Sequence, residues 1–198
     1  MSEFVAFNKI GRWSRNIVVT EKIDGTNGCI NIDESGTVMQ VGSRTRWLTD
    51  HEDNYGFYKW AMANRDELLT LGPGRHFGEW WGCGIQRNYG LKEKRFSLFN
   101  VSRWCANGNV PQVIPCADPR QPVKHQQILP PCAGLVPVIY SGMMDESEIM
   151  KAIGTLIHEG SFAAPGFMKP EGVVIFHTAN GAMFKKTIEK DAEPKGNQ

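Results

Sequence analysis

The chain has 198 residues and a mass of 22.2 kDa, room for one domain or at most two small ones, and its 22 Lys plus Arg against 21 Asp plus Glu leave a formal charge of only +1. Hydrophobic residues at 41% and aromatics at 10% can build a core, which excludes a mainly disordered chain, while the near-zero charge excludes a strong non-specific hold on nucleic acid. The start Met1-Ser2-Glu3-Phe4 lacks the parts of a signal peptide, no run reaches the roughly 20 apolar residues of a spanning helix, and the five cysteines form no CxxC pair; a cytoplasmic protein with reduced thiols and no membrane contact is expected.

In chain order, β-branched and aromatic residues between turn formers predict strands at Asn16 to Thr20, Gly28 to Asp33, Thr37 to Gly42, His76 to Trp81, Arg95 to Val101, Leu135 to Tyr140, Val173 to His177 and Ala182 to Ile188. Glu34-Ser35-Gly36 and Ala179-Asn180-Gly181 carry turn chemistry and predict antiparallel hairpins. Thr49 followed by Glu52 predicts a capped helix running to about Leu71, with Phe57, Trp60, Ala61 and Leu68 on its buried side. Asp145 and Glu148 repeat the device ahead of Ile149, Ile153, Leu156 and Ile157, with Gly160 as the stop. Residues 105 to 134, rich in Pro, Gln and Cys, read as a long connection or insertion inside one domain spanning residues 1 to 192, and residues 193 to 198 as a short tail.

Several residues have chemistry in reach. In Glu21-Lys22-Ile23-Asp24-Gly25-Thr26-Asn27 a lysine stands at the end of a strand before an Asp-Gly turn. Such an amine is a nucleophile if a nearby cation or desolvation keeps a fraction of it unprotonated; the same tetrapeptide also suits a solvated lysine before a type I turn. Glu79, between Gly78 and two tryptophans, is a carboxylate able to accept two ribose hydroxyls or simply to end a strand as a capped charge. Glu171 opens a strand and is followed by glycine, a setting for a hard oxygen ligand to Mg²⁺; Asp24 is the second candidate, although an Asp in a turn can bond its own backbone. Gly72-Pro73-Gly74 lacks the lysine of a phosphate-binding loop and reads as a turn into the next strand. Cys105, Cys116, His125 and Cys132, spaced by 11, 9 and 7, contain no paired ligands, so no zinc site is expected.

Taken in order, Glu21 to Asn27, Ser43-Arg44-Thr45-Arg46, Phe77-Gly78-Glu79-Trp80-Trp81-Gly82, Phe96-Ser97-Leu98-Phe99-Asn100-Val101, Glu171-Gly172-Val173-Val174-Ile175 and Phe184-Lys185-Lys186 resemble the motif series of the covalent nucleotidyltransferases, the superfamily of ATP-dependent DNA and RNA ligases and mRNA capping enzymes. Within it the chain most resembles the RNA ligase 2-like family, whose wording recurs in Glu21 to Asn27 and in Gly82-Cys83-Gly84-Ile85-Gln86-Arg87-Asn88. The resemblance spans residues 21 to about 190 and implies an α+β, ATP-grasp-like nucleotidyltransferase domain, with antiparallel sheets and flanking helices around an ATP cleft.

It also implies roles. Lys22 attacks the α-phosphate of ATP and holds AMP, Glu79 binds the ribose, and Phe99, chosen over Phe96 by its spacing from Glu79, stacks on adenine. Glu21 meets the adenine edge through backbone or side chain, Arg44 contacts the ribose or the incoming phosphate with Arg46 extending that basic rim, and Asn27 orients the substrate end. Lys185 serves the α-phosphate, and Lys186, on the opposite face of a strand, is the second contact or a surface residue; Thr187 stands where the family usually has another lysine. Mg²⁺ or Mn²⁺ and RNA with 5′-phosphate and 3′-hydroxyl ends are the implied companions. The chain stops soon after Lys185, so no C-terminal oligonucleotide-binding domain is expected, and a separate RNA-binding or end-processing partner is one way to replace it. A DNA ligase, a GTP-using capping guanylyltransferase and a silent nucleotide- or RNA-binding module are the rivals.

Overall fold

Two sheets carry the molecule, one of four strands and one of five, in a computed structural model that describes residues 4–7, 10–104, 129–189 and 191–192. The first four strands are β1 (Asn16–Lys22), β2 (Thr26–Ile32), β3 (Met39–Gly42) and β4 (Gly74–Gly82). They are followed by β5 (Lys94–Leu98), β6 (Ala133–Leu135), β7 (Val138–Met143), β8 (Gly172–His177) and β9 (Met183–Thr187). The helices are α1 (Phe57–Ala63), α2 (Arg65–Leu69), α3 (Val101–Trp104) and α4 (Glu146–Glu159). The strand orders are β7-β1-β8-β9 and β3-β2-β4-β5-β6, all antiparallel except β5 with β6. The expected α+β architecture is therefore present, with that one parallel pair as its exception.

Both expected hairpins form. Asp33 accepts from the backbone N–H groups of Thr37 and Val38 and fixes the β2–β3 turn, where Gly36 takes a left-handed φ of 73°. Residues 178–182 join β8 to β9. Strand existence was legible; bounds shifted. The run expected from Arg95 to Val101 ends at Leu98, and Val101 opens α3. The run expected from Leu135 to Tyr140 is two strands, β6 and β7, in different sheets, because the chain turns at Val136-Pro137. Proline cannot donate to a ladder, so a break there follows. Residues 133 and 134, placed in the connection by sequence, belong to β6; residues 105–128 lie outside the described ones.

The helix expected from Thr49 to Leu71 is instead a turn followed by α1 and α2. Thr49 does accept from the Glu52 N–H at 3.1 Å, but this closes only a turn. The donors at the start of α1 are met by Asp53, whose carboxylate accepts from Tyr58 at 2.7 Å and Lys59 at 3.3 Å. Asn64 then ends α1 by folding its amide back onto the Trp60 carbonyl at 2.8 Å. Phe57, Ala61 and Leu68 are buried as expected, with Trp60 partly so. In α4, Asp145 caps the Ser147 N–H at 2.8 Å; Ile149, Ile153 and Leu156 are buried, whereas Ile157 faces solvent with half its surface exposed. Ala152 takes the buried position that pattern reading gave to Ile157.

Two apolar clusters result. One joins α1 and α2 to the five-stranded sheet, where Phe57 lies 5.0 Å from Phe96 and 5.4 Å from Trp80 between ring centres. The other packs α4 onto one face of the four-stranded sheet through Ile17, Val19, Val173 and Ile175. Burying these large side chains removes apolar surface from water and holds each sheet to its helix. Strand alternation then turns Lys22 to the face opposite α4. No helix among the described residues is long and apolar enough to cross a membrane.

Candidate active site

Lys22 is the last residue of β1, and the β1–β8 ladder pairs it with Gly172. That register sets its amine beside the carboxylate of the preceding residue: Lys22 Nζ lies 2.5 Å from Glu171 Oε2, both side chains mostly buried. Only glycine suits position 172. Its φ is 152°, and a Cβ there would strike the Lys186 carbonyl on β9. Glu171, Lys22 and the start of β9 are thereby held in close order.

The turn after Lys22 leads into β2, and Asn27 pairs with Glu79 of β4 in the five-stranded sheet. The Glu79 carboxylate accepts from the Gly25 N–H at 3.0 Å and from Asn27 Nδ2 at 3.1 Å. Burial, opposed by the Lys22 ammonium and these two donors and reinforced by Glu171, pushes its pKa up to about 7. Gly25 has no space for a side chain, since a Cβ would meet the Trp80 carbonyl. Lys22, Glu79 and Glu171 thus come from two sheets and three distant parts of the sequence to one place.

Asp24 is placed beside them but is not free. Its Oδ2 accepts from Arg87 Nε at 2.9 Å and its N–H donates to the Tyr89 hydroxyl at 2.7 Å. Glu21 points the other way from Lys22, toward α4. It is 1% exposed and accepts from Ser161 Oγ at 2.5 Å and from the N–H groups of Phe162 and Ala163, each at 2.9 Å. Burial raises its pKa against those three bonds. Its side chain is committed to the loop after α4, so of the two expected routes to a base edge only the backbone is left.

Phe99 lies just past β5, is 40% exposed, and donates its N–H to the Phe77 carbonyl. Its competitor Phe96 is 1% exposed and packs against Phe57 and Trp60. Only Phe99 has an open face. On β9, Lys185 pairs with Val174 and Lys186 with Val173, which puts the two lysines on opposite faces. Lys186 is tied to Asp191 at 3.2 Å; Lys185 is exposed and its side chain makes no bond among the described residues. Arg44 is likewise exposed and without a bond among the described residues, while Arg46 pairs with Glu52 at 3.7 Å on the surface. Sequence reasoning does not single out Arg87, Tyr89 or Ser161 individually. Arg87 sits inside the quoted Gly82 to Asn88 block, whereas nothing local marks Ser161 as the partner of a carboxylate 140 residues away.

No cluster of three or more His, Cys, Asp or Glu side chains suited to a bare metal ion occurs among the described residues. Cys29, Cys83 and Cys132 are free thiols, while Cys105, Cys116 and His125 lie outside the described residues. A cavity of about 500 Å³ lined by Trp81, Arg95, Ser97, Pro137 and Phe162 includes none of Lys22, Glu79 or Glu171 in its wall.

No curated protein matches this sequence. Among solved structures, a mutant of Naegleria gruberi RNA ligase with ATP and Mn superposes with a TM-score of 0.62 at 18% identity, covering 89% of this chain and 51% of that one. A second mutant of the same ligase, with AMP and Mn, gives 0.59 at 19% identity over 87% and 49%, and an apo mutant gives 0.60 at 18% over 87% and 49%. The chain therefore shares the fold of these proteins and spans about half their length. The RNA ligase family profile matches residues 15–187, from the start of β1 to the end of β9 and across every residue of the Lys22, Glu79 and Glu171 site, so the chain belongs to the RNA ligase family.

Proposed function

We propose that this chain carries the adenylating centre of an ATP-dependent RNA ligase. The observation that carries the reading is the Lys22 amine held at 2.5 Å by Glu171 with Glu79 in the same electrostatic neighbourhood, inside a match to the RNA ligase family. Lys22 gives up a proton and its nitrogen attacks the α-phosphorus of ATP; the bond to the bridging oxygen breaks, pyrophosphate leaves, and AMP remains as a phosphoramidate. An RNA 5′-phosphate oxygen then displaces the lysine, and a 3′-hydroxyl displaces AMP to form the phosphodiester.

Each residue's placement supports a part in this. Glu79, at the sheet centre with two oxygens directed by Gly25 and Asn27, binds the ribose hydroxyls. The open face of Phe99 takes adenine. Lys185, free among the described residues and on the face of β9 opposite Lys186, contacts the α-phosphate and stabilises its developing charge. Arg44 supplies a further cation to the nucleotide or the RNA end. The donor set suits a divalent cation that keeps much of its water: Glu171, with Asp24 second, offers hard carboxylate oxygens without forming a closed cage. Mg²⁺ or Mn²⁺ held there neutralises phosphate charge.

The test is intact-protein mass spectrometry after exposure to ATP and Mg²⁺, followed by 5′-phosphorylated RNA or DNA ends. The reading expects a gain of one AMP, absent in Lys22→Ala, and sealing of RNA. Transfer from GTP alone makes the chain a guanylyltransferase, sealing of DNA in preference to RNA makes it a DNA ligase, and no adduct leaves a nucleotide- or RNA-binding module.

A further inference from the structure

Between β4 and β5 the backbone passes through left-handed conformations at Gln86 (φ 43°), Asn88 (φ 61°) and Tyr89 (φ 52°). Residues with side chains hold this conformation only where their surroundings fix it. Here Ile85 is fully buried, the Asn88 side-chain carbonyl accepts from the Gly84 N–H at 3.0 Å, and Tyr89 meets Trp81 edge-on at 4.9 Å and Phe167 at 4.6 Å. The loop's distorted path has a result: Arg87 reaches two segments that are far apart in sequence. Its Nε donates to Asp24 Oδ2 at 2.9 Å, and its second guanidinium nitrogen donates to the Lys169 carbonyl at 3.0 Å.

Asp24 follows the nucleophile by two residues, and Lys169 precedes Glu171 by two. The Tyr89 hydroxyl, from the same loop, holds the Asp24 N–H. β1 and β8 end their ladder at Lys22 and Gly172, so past that point Arg87 ties together the two chains that carry the amine and its carboxylate partner. The Arg87 and Asp24 side chains are 29% and 27% exposed, so this pair is shielded more than a surface pair.

We propose that Arg87 is a positioning residue for AMP transfer: by clamping the Asp24 turn to the Lys169 carbonyl it sets the Lys22 amine against Glu171 and the α-phosphate. The inference rests on the adenylating role of Lys22. Arg87 forms no bond to phosphorus and moves no proton. A lysine at position 87 has one point of attachment and replaces either bond but not the planar fork that makes both.

The experiment compares the 198-residue chain with Arg87→Ala and Arg87→Lys in single-turnover AMP attachment, thermal melting, and acetylation of individual lysines by an N-hydroxysuccinimide ester read by peptide mass spectrometry. Arg87→Ala is expected to slow attachment at saturating ATP by about tenfold or more, with the half-saturating ATP concentration changed by less than about threefold, because a small misplacement of reacting atoms costs rate. Arg87→Lys recovers part of the rate. Acetylation of Lys22 rises in Arg87→Ala, as its amine is no longer held, while that of exposed Lys59 stays constant. Wild-type attachment by Arg87→Ala overturns the inference, as does a rate loss that only tracks loss of folded protein and is not relieved by Arg87→Lys. A parent chain that takes up no AMP overturns the adenylation reading instead; the acetylation arm then decides the clamp alone, upheld by a rise at Lys22 and overturned by none.

Discussion

Lys22 and Glu171 stand 149 residues apart in the chain and 2.5 Å apart in space. Glu171 holds the amine as its ion-pair partner, so under the proposed adenylation nucleotide binding has to loosen this pair before the amine attacks. Glu171→Gln keeps the size and removes the charge. It is expected to slow lysyl-AMP formation by about 100-fold, the scale of one lost electrostatic contact in a transition state. The check is the time course of AMP adduct by intact mass, with a circular dichroism melt to confirm folding.

Burial pushes the Glu79 pKa up to about 7, so the proposed ribose contact is expected to make nucleotide binding pH-dependent. In the proposed role its carboxylate form accepts the ribose hydroxyls, so ATP affinity is expected to rise about tenfold between pH 6 and pH 8, following the ionised fraction. The stability effect has the opposite sign: the folded state holds this proton more tightly than the unfolded chain, so the contribution of Glu79 to stability falls as pH climbs from about 4.5 through 7. Calorimetric titration with ATP from pH 6 to pH 8 checks the first and urea unfolding from about pH 4.5 to 7 the second, both repeated on Glu79→Gln, whose affinity profile is expected to be flat.

Phe96 and Phe99 are separated by two residues and by burial. Phe96→Ala is expected to cost about 3–5 kcal/mol of stability, because it empties a site packed by Phe57, Trp60 and Trp80. Phe99→Ala is expected to leave stability within about 1 kcal/mol. It is expected to weaken ATP binding by about 1–3 kcal/mol, the usual worth of a stacked base. Urea unfolding and equilibrium ATP binding on both variants separate the two.

Glu21→Ala strands three donors, Ser161 Oγ and the N–H groups of Phe162 and Ala163. A loss of about 3 kcal/mol is expected from buried groups left without acceptors. Exchange of the Phe162 and Ala163 amides with deuterium is expected to be slow in the parent chain and fast in the variant.

How far the sequence leads depends on whether a feature is local. The strands, the two hairpin turns and the caps at Asp145 and Gly160 rest on neighbours a few residues apart, and they were legible. The order of Lys22, Glu79 and Glu171 was legible through its resemblance to known motifs, since each stands at a strand end or centre that chain patterning alone could place. Partnerships across long separations were not. Arg87 with Asp24 and Glu21 with Ser161 need the tertiary fold to bring them together, and no spacing rule encodes either. The helix misplacement at Thr49 has a similar cause: a real side-chain cap is compatible with a single turn, and Asp53, one residue past Glu52, won the donors of α1.

Neighbouring Glu21 and Lys22 project to opposite sides of one pleated ribbon, the first locked into a socket of three donors, the second paired with Glu171. A slip of that ribbon by a single residue would therefore put either Lys22 into the three-donor socket or Glu21 beside Glu171, depending on its direction. An insertion or deletion of one residue within β1 is expected to break the Glu21 and Lys22 contacts together, whereas lengthening the turn at Ser35 is expected to leave both in place.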